Sequence, residues 1–126
     1  MARKIRDIMR RDPVCMAPAE SVAAAARAMK EQGIGTVLVL DGGQLCGLVT
    51  DRDITARVLA ENRDADTVRL SDICSTDLAV LGPDDDVAVA VRLVRELAVR
   101  RIPVLENGIP VGVVSAGDLA LAGREA

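Results

Sequence analysis

The chain has 126 residues, half of them hydrophobic, and it carries a formal net charge of -3 with basic and acidic residues interspersed. This length suits one compact domain or two small halves that depend on each other. The balanced charge does not predict a general attraction to nucleic acid or anionic lipid. No apolar run is long enough to span a membrane, and the basic N-terminus lacks the apolar region of a signal peptide. We therefore expect a cytoplasmic protein with neither nucleic acid nor a membrane as its partner.

The sequence offers no catalytic or metal-binding constellation. It has no His, no phosphate-binding loop and no paired nucleophile and base, so we expect no enzyme. The three cysteines, Cys15, Cys46 and Cys74, are scattered without the clustered spacing of zinc ligands. Each lies in or beside an apolar run, where a reduced thiol acts as a small hydrophobic group. We expect no metal site and no required cofactor.

The first half of the chain predicts the order strand, helix, strand, strand, helix. Ser21 stands where a helix N-cap belongs, apolar residues follow at helical spacing, and Gly33 is typical of a helix C-terminus. Asp86 takes the place of Ser21 in the second half. The predicted elements are an amphipathic lead-in around Ile5, an extended piece at 14–16, a helix from residue 22, a hairpin with strands at 36–40 and up to residue 50, and a helix at about 51–60.

The second half repeats the first at an offset of 65 positions, without a gap. Pro18 falls on Pro83 and Asp53 on Asp118, and conservative pairs fill many of the places between. A register kept over this length indicates an internal duplication. Each repeat buries too little apolar surface to be stable alone, so we expect the two to pack on one another about a pseudo-twofold axis. The predicted boundaries are 5–61 for the first repeat, 62–69 for a linker and 70–126 for the second repeat.

The end of each repeat carries a hydroxyl and a carboxylate at the same spacing. Residues 47–54 read GLVTDRDI and residues 112–119 read GVVSAGDL. Each stretch predicts a buried strand that turns into a helix, with Thr50 and Asp53, or Ser115 and Asp118, at the junction. We call these two junctions the first and the second corner. Such a pair can cap a helix by satisfying its backbone N–H groups, and the same groups can bind a ligand.

The chain resembles the tandem CBS-domain pair, or Bateman module. The resemblance depends on the two corners in register and on the RRIPV stretch at 100–104, and it extends from about residue 5 to about residue 121. The small stand-alone bacterial pairs, such as the hypoxic-response proteins, are the most similar type. It implies an α/β fold of two tandem β-α-β-β-α repeats, with an adenosine nucleotide or adenosyl ligand in the cleft between them. It also implies a homodimer, a disc of four repeats.

The family's binding residues can be carried over to matching positions. By resemblance, Thr50 with Asp53 and Ser115 with Asp118 hold ribose, since a carboxylate accepts charge-assisted hydrogen bonds from a diol. Basic residues ahead of the Pro-containing strand often contact phosphate, and a guanidinium fits phosphate oxygens well. The sequence has no aromatic side chain to stack on adenine. The remaining implied ligand-binding residues are Arg100 and Arg101 as phosphate contacts at either corner, Ile102 and Pro103 directly after them, and Val14, Met16 and Val80 near adenine.

The predicted function is a non-enzymatic sensor of an adenosyl ligand. The sequence leaves AMP, ADP, ATP, S-adenosylmethionine and related compounds open as the ligand. An alternative is a ligand-free structural or adaptor protein that acts through protein or nucleic-acid contacts. Only the N-terminal basic cluster, from Arg3 to Arg11, favours that alternative.

Overall fold

The structure is a computed structural model that describes residues 3–125, and it contains both helices and strands. A 3₁₀ turn at Ile5–Asp7 leads in. The strands are β1 (Arg10–Arg11), β2 (Cys15–Met16), β3 (Thr36–Asp41), β4 (Gln44–Thr50), β5 (Arg101–Glu106) and β6 (Ile109–Ser115). The helices are α1 (Val22–Gln32), α2 (Asp51–Ile54), α3 (Leu70–Ile73), α4 (Val87–Leu97) and α5 (Ala116–Glu125), and a π-helical turn (Thr55–Leu59) continues α2.

The two long helices begin where the sequence predicts them to begin. The Ser21 hydroxyl accepts a hydrogen bond from the N–H of Ala24 at the start of α1, and the Asp86 carboxylate accepts one from Ala88 at the start of α4. Gly33 ends α1 in the left-handed conformation with φ +63°, as predicted. Ala98 ends α4 in the same conformation with φ +54°, although a left-handed residue other than glycine is strained.

The chain divides into two compact units that do not follow the sequence repeats. The first unit is Val14–Asp77, and the second joins the residues up to Pro13 with those from Leu78 onward. In the first unit β3 lies between the parallel β2 and the antiparallel β4. In the second unit β6 lies between β5 and β1. The equivalent of β2 in the second unit is a single bridge between Leu81 and Val104.

Each repeat donates its lead-in segment to the unit that holds the other repeat's helices. The N–H of Ile5 donates to the carbonyl of Asp85 at 2.9 Å, and the N–H of Leu70 donates to the carbonyl of Glu20 at 2.9 Å. The side chains of Ile5 and Leu70 are both fully buried, Ile5 in the core of the second unit and Leu70 in that of the first. The exchange is therefore part of each core and cannot be a surface contact.

Aliphatic side chains form both cores. In each unit the inner positions of the hairpin pack against the long helix, with Val37, Val39 and Val49 in the first unit and Ile102 and Val104 in the second. Both hairpins carry a β-bulge at the equivalent place. The predicted helix at 51–60 is correct in position but not in type, because only its first turn is α-helical and the rest is a π-helical turn. Among residues 3–125 no helix is both long and apolar enough to cross a bilayer.

Candidate functional site

The first corner is a reciprocal pair of hydrogen bonds at the start of α2. The Thr50 hydroxyl oxygen accepts from the N–H of Asp53 at 3.1 Å, and the N–H of Thr50 donates to Oδ2 of Asp53 at 2.8 Å. This capping box satisfies two backbone donors that the helix itself leaves unpaired. The helix-capping role that the sequence predicts is therefore present, and these hydrogen bonds fix the orientation of the Asp53 carboxylate.

The second corner repeats this geometry at the start of α5. Ser115 Oγ accepts from the N–H of Asp118 at 3.0 Å, and the N–H of Ser115 donates to Oδ2 of Asp118 at 2.9 Å. A carboxylate has about four acceptor positions on its two oxygens, and one backbone donor uses one of them. Capping and ligand binding are thus compatible at the same carboxylate.

The residues beside the two corners differ in charge. In the second unit Arg101 pairs with Ser115 across the hairpin, and the carbonyl of Arg100 accepts from the N–H of Ala116 at 2.9 Å. The structure therefore brings both arginines to the backbone next to the second corner. In the first unit the equivalent of Arg100 is Gly35, and a methyl group built on Gly35 would lie 3.1 Å from the carboxylate of Asp51. An acidic group thus stands beside the first corner and basic groups beside the second.

The remaining predicted ligand residues are spread over the two sheets. Val14 and Met16 are half-buried at β2, and the carbonyl of Val14 accepts from Leu38 on β3 at 2.9 Å. They lie two strand spacings, about 10 Å, from β4 and its corner. Val80 is 48% exposed. Ile102 is fully buried in the core of the second unit, and Pro103 is buried as well.

A shallow pocket lies against the second corner. It has a volume of about 180 Å³, and it is lined by Arg3, Asp7, Ile8, Asp118, Leu121 and Ala122. This volume is below the roughly 300–1,000 Å³ of most small-molecule sites, so it suits a fragment such as a pentose. Asp118 is the one predicted ligand residue in its wall.

Arg57 is a residue at the first corner that the sequence reasoning missed. It lies on the π-helical turn, its Nη1 donates to the carbonyl of Ile73 at 2.9 Å, and its Nε lies 3.9 Å from Oδ1 of Asp53. The Asp53 side chain is 17% exposed. The i, i+4 spacing of Asp53 and Arg57 was the available signal, since such residues are neighbours on a helix surface.

Comparison with known proteins gives a consistent family assignment. The family model for the CBS domain matches residues 5–60 and 70–125. The CBS domain-containing protein YhcV of Bacillus subtilis is 33% identical over 117 residues, which are 93% of this chain and 83% of that protein. Hypoxic response protein 1 of Mycobacterium tuberculosis is 31% identical over 116 residues, which are 91% of this chain and 81% of that protein.

Solved structures that are similar to this chain include further CBS-domain proteins. The CBS domain pair of protein MJ0100, in complex with 5'-methylthioadenosine and S-adenosyl-L-methionine, is 23% identical with a TM-score of 0.86 over 100% of both chains. Hypoxic response protein I with two coordinated zinc ions is 30% identical with a TM-score of 0.77, over 95% of this chain and 98% of that one. In residues 3–125 here, no three or more Cys, Asp or Glu residues are grouped so as to hold a metal ion.

The chain belongs to the CBS-domain family and carries a tandem pair of CBS domains. The predicted α/β fold of two tandem β-α-β-β-α repeats is confirmed. The resemblance to small bacterial pairs of the hypoxic-response type is confirmed as well. The roles of the predicted ligand residues, and the predicted cleft between the repeats, stay predictions.

Proposed function

We propose that this CBS-domain pair is a non-enzymatic regulatory module that binds an adenosine nucleotide or another adenosyl ligand. The observation that carries the proposal is the second corner, where a fixed carboxylate, a small pocket and two neighbouring arginines lie in one unit. Asp118 accepts hydrogen bonds from the ribose diol, and Arg100 and Arg101 contact the phosphate of a nucleotide. The MJ0100 pair, whose crystals hold two adenosyl compounds, supports this class of ligand.

The corner also favours an anionic ligand for electrostatic reasons. The first backbone N–H groups of α5 carry the positive end of the helix dipole. The guanidinium of Arg101 is held near this place by its hydrogen bond to the carbonyl of Arg100 at 3.2 Å. Aliphatic side chains and backbone groups near Val80 would contact the adenine, since the chain has no aromatic ring for stacking. We therefore expect modest affinity.

Thermal unfolding in the presence of adenosyl compounds tests this proposal. The panel is AMP, ADP, ATP, S-adenosylmethionine and 5'-methylthioadenosine, because a ligand that binds only the native state raises stability by about 2.7 kcal/mol at 100 times its Kd. Asp118→Asn keeps an oxygen that can accept from the N–H of Ser115, so the helix cap survives while the charge for the diol is lost. Asp41→Asn, at the exposed end of β3, is the matched control.

The expected result is a rise in Tm for the wild type and the control, and a smaller rise for Asp118→Asn. The ribose assignment is wrong if the full response survives when both Asp53 and Asp118 are replaced by Asn. The proposal of an adenosyl sensor is wrong if no compound of the panel changes the Tm or binds in direct titration.

We further propose that the chain forms a homodimer through the helices of the second unit. Leu97 on α4 is 57% exposed and Leu121 on α5 is 58% exposed, and α4 packs on α5. Burying such side chains would contribute about 25 cal/mol per Å² of apolar surface. Light scattering should give a dimer for the wild type, a monomer for Leu97→Glu, and a dimer for the control Leu59→Glu in the first unit. A dimer that survives Leu97→Glu and Leu121→Glu together excludes this surface.

The adaptor alternative receives less support from the N-terminal basic cluster. Arg6 is paired with Asp84 at 2.7 Å and lies 3.7 Å from Glu106, so part of the positive charge is already neutralised. A steep fall of RNA or DNA binding with rising salt would favour the adaptor function. The cytoplasmic location stays a prediction from the sequence.

A further inference from the structure

The pocket beside the second corner has a counterpart in the first unit that can be located from the repeat. Three of the residues that line it are Asp118, Ala122 and Ile8. Their equivalents at the offset of 65 are, in the same order, Asp53, Arg57 and Ile73. Because both units share one fold, these three residues mark the same place beside the first corner.

In the first unit, the side chain of Arg57 bridges two residues that correspond to residues lining the pocket of the second unit. Arg57 stands where the second unit has a methyl group, and its guanidinium extends from Oδ1 of Asp53, at 3.9 Å, to the carbonyl of Ile73, at 2.9 Å. Those partners are the equivalents of Asp118 and Ile8, two residues that line the pocket of the second unit. The guanidinium thus occupies the space that the second unit leaves open.

We infer that Arg57 is a specificity-determining residue that closes the first corner, so that each chain takes one adenosyl ligand, at the second corner. The inference depends on the proposed function and adds to it the choice of corner. Two effects act together. The guanidinium fills the space beside Asp53, and its positive charge, with Nε 3.9 Å from Oδ1, faces the carboxylate oxygen that would accept from a ribose diol. A ligand at the first corner must displace this guanidinium and break its hydrogen bond to the carbonyl of Ile73, which weakens binding about 10- to 100-fold.

The stoichiometry of binding tests this inference. Isothermal titration of the full chain uses AMP and 5'-methylthioadenosine as probes, one with a phosphate and one without. We expect one site per chain in the wild type and two in Arg57→Ala. Asp118→Asn should remove the wild-type site, and Asp53→Asn should remove only the site that Arg57→Ala creates. Arg57→Met is the matched variant that keeps an unbranched aliphatic chain and removes the guanidinium.

The outcomes separate this inference from the proposed function. Two sites in the wild type, or one site in both the wild type and Arg57→Ala, overturn the role of Arg57 and leave the adenosyl sensor standing. Weaker binding of AMP in Arg57→Ala also overturns it, because Arg57 would then be a phosphate ligand. Binding of neither probe by the wild type or by Arg57→Ala overturns both. Far-UV circular dichroism establishes that each variant is folded.

Discussion

Gly112 lies on β6 beside β1, and Gly47 lies on β4 beside the bridge between Leu48 and Ser75. Alanine at either glycine should destabilise the fold. A methyl group built on Gly112 would lie 2.7 Å from Sδ of Met9 and 2.9 Å from the backbone oxygen of Arg10. A methyl group on Gly47 would lie 2.7 Å from Sγ of Cys74 and 3.0 Å from its Cβ. Ordinary contacts of a Cβ atom are 3.4–4 Å, so neighbouring atoms must move by several tenths of an ångström.

The expected cost is about 1–3 kcal/mol for each variant, which is the usual range for overpacking. For a chain of this size that corresponds to a fall in Tm of about 4–12 °C. Thermal and urea unfolding followed by circular dichroism measure it. Gly123→Ala on α5 is the matched control, because nothing lies within 4 Å of a methyl group there. Alanine in a helix is more favourable than glycine by about 0.5–1 kcal/mol, so the Tm of this control should not fall.

The two glycines should also respond differently to a second substitution. Cys74→Ala removes the sulfur at 2.7 Å from the added methyl group but leaves Cβ at 3.0 Å and the backbone oxygen of Ser75 at 3.2 Å, so it should recover part of the cost of Gly47→Ala. Met9→Ala should recover little of the cost of Gly112→Ala, because the backbone oxygen of Arg10 stays at 2.9 Å. Close packing at these glycines is refuted if Gly47→Ala and Gly112→Ala unfold like the wild type, or if Met9→Ala restores the stability of Gly112→Ala completely.

Three further predictions concern other parts of the fold. Ala98→Gly should raise the free energy of unfolding by about 0.5–1 kcal/mol and Gly33→Ala should lower it by about 1 kcal/mol, since both residues have a left-handed backbone conformation. Unchanged Tm values in both variants would contradict this. Ile5→Ala and Leu70→Ala should each cost about 2–5 kcal/mol in urea unfolding, because both side chains are fully buried, and a cost below 1 kcal/mol at Ile5 would count against the exchange. Burial raises the pKa of Cys74, so alkylation of this thiol between pH 7 and 9 should be slower in the folded chain than in urea. The stability that the neutral thiol contributes should be lost as the pH rises through its raised pKa. Equal alkylation rates in both states would contradict this prediction.

Local features were predictable from the sequence because their causes are local. The caps at Ser21 and Asp86 and the left-handed Gly33 each depend on residues within one helical turn. The capping boxes at the two corners follow from the spacing of a hydroxyl and a carboxylate. The repeat predicted that both halves have the same order of elements, and the resemblance to the CBS-domain pair predicted the family.

Features that depend on distant contacts were not predictable in this way. The lead-in at Ile5 reads as an amphipathic segment, but no local signal states that its partner is the helix that begins more than 80 positions later. The sequence predicts only that Arg57 is a cation on a helix surface, and the structure adds that it donates to the carbonyl of Ile73. Alanine itself gives no sign of the left-handed geometry of Ala98, and the available signal was its position in the repeat, where it is the equivalent of Gly33.

The exchange of lead-in segments also sets an order in time during synthesis on the ribosome. Val14–Asp77 is one continuous stretch, so this half can fold as soon as it has emerged, because domains generally fold as units during translation. The residues up to Pro13 are made before this stretch, yet their partners from Leu78 onward are made after it. The nascent chain must therefore carry Ile5 and its apolar neighbours exposed while the whole of Val14–Asp77 is synthesised.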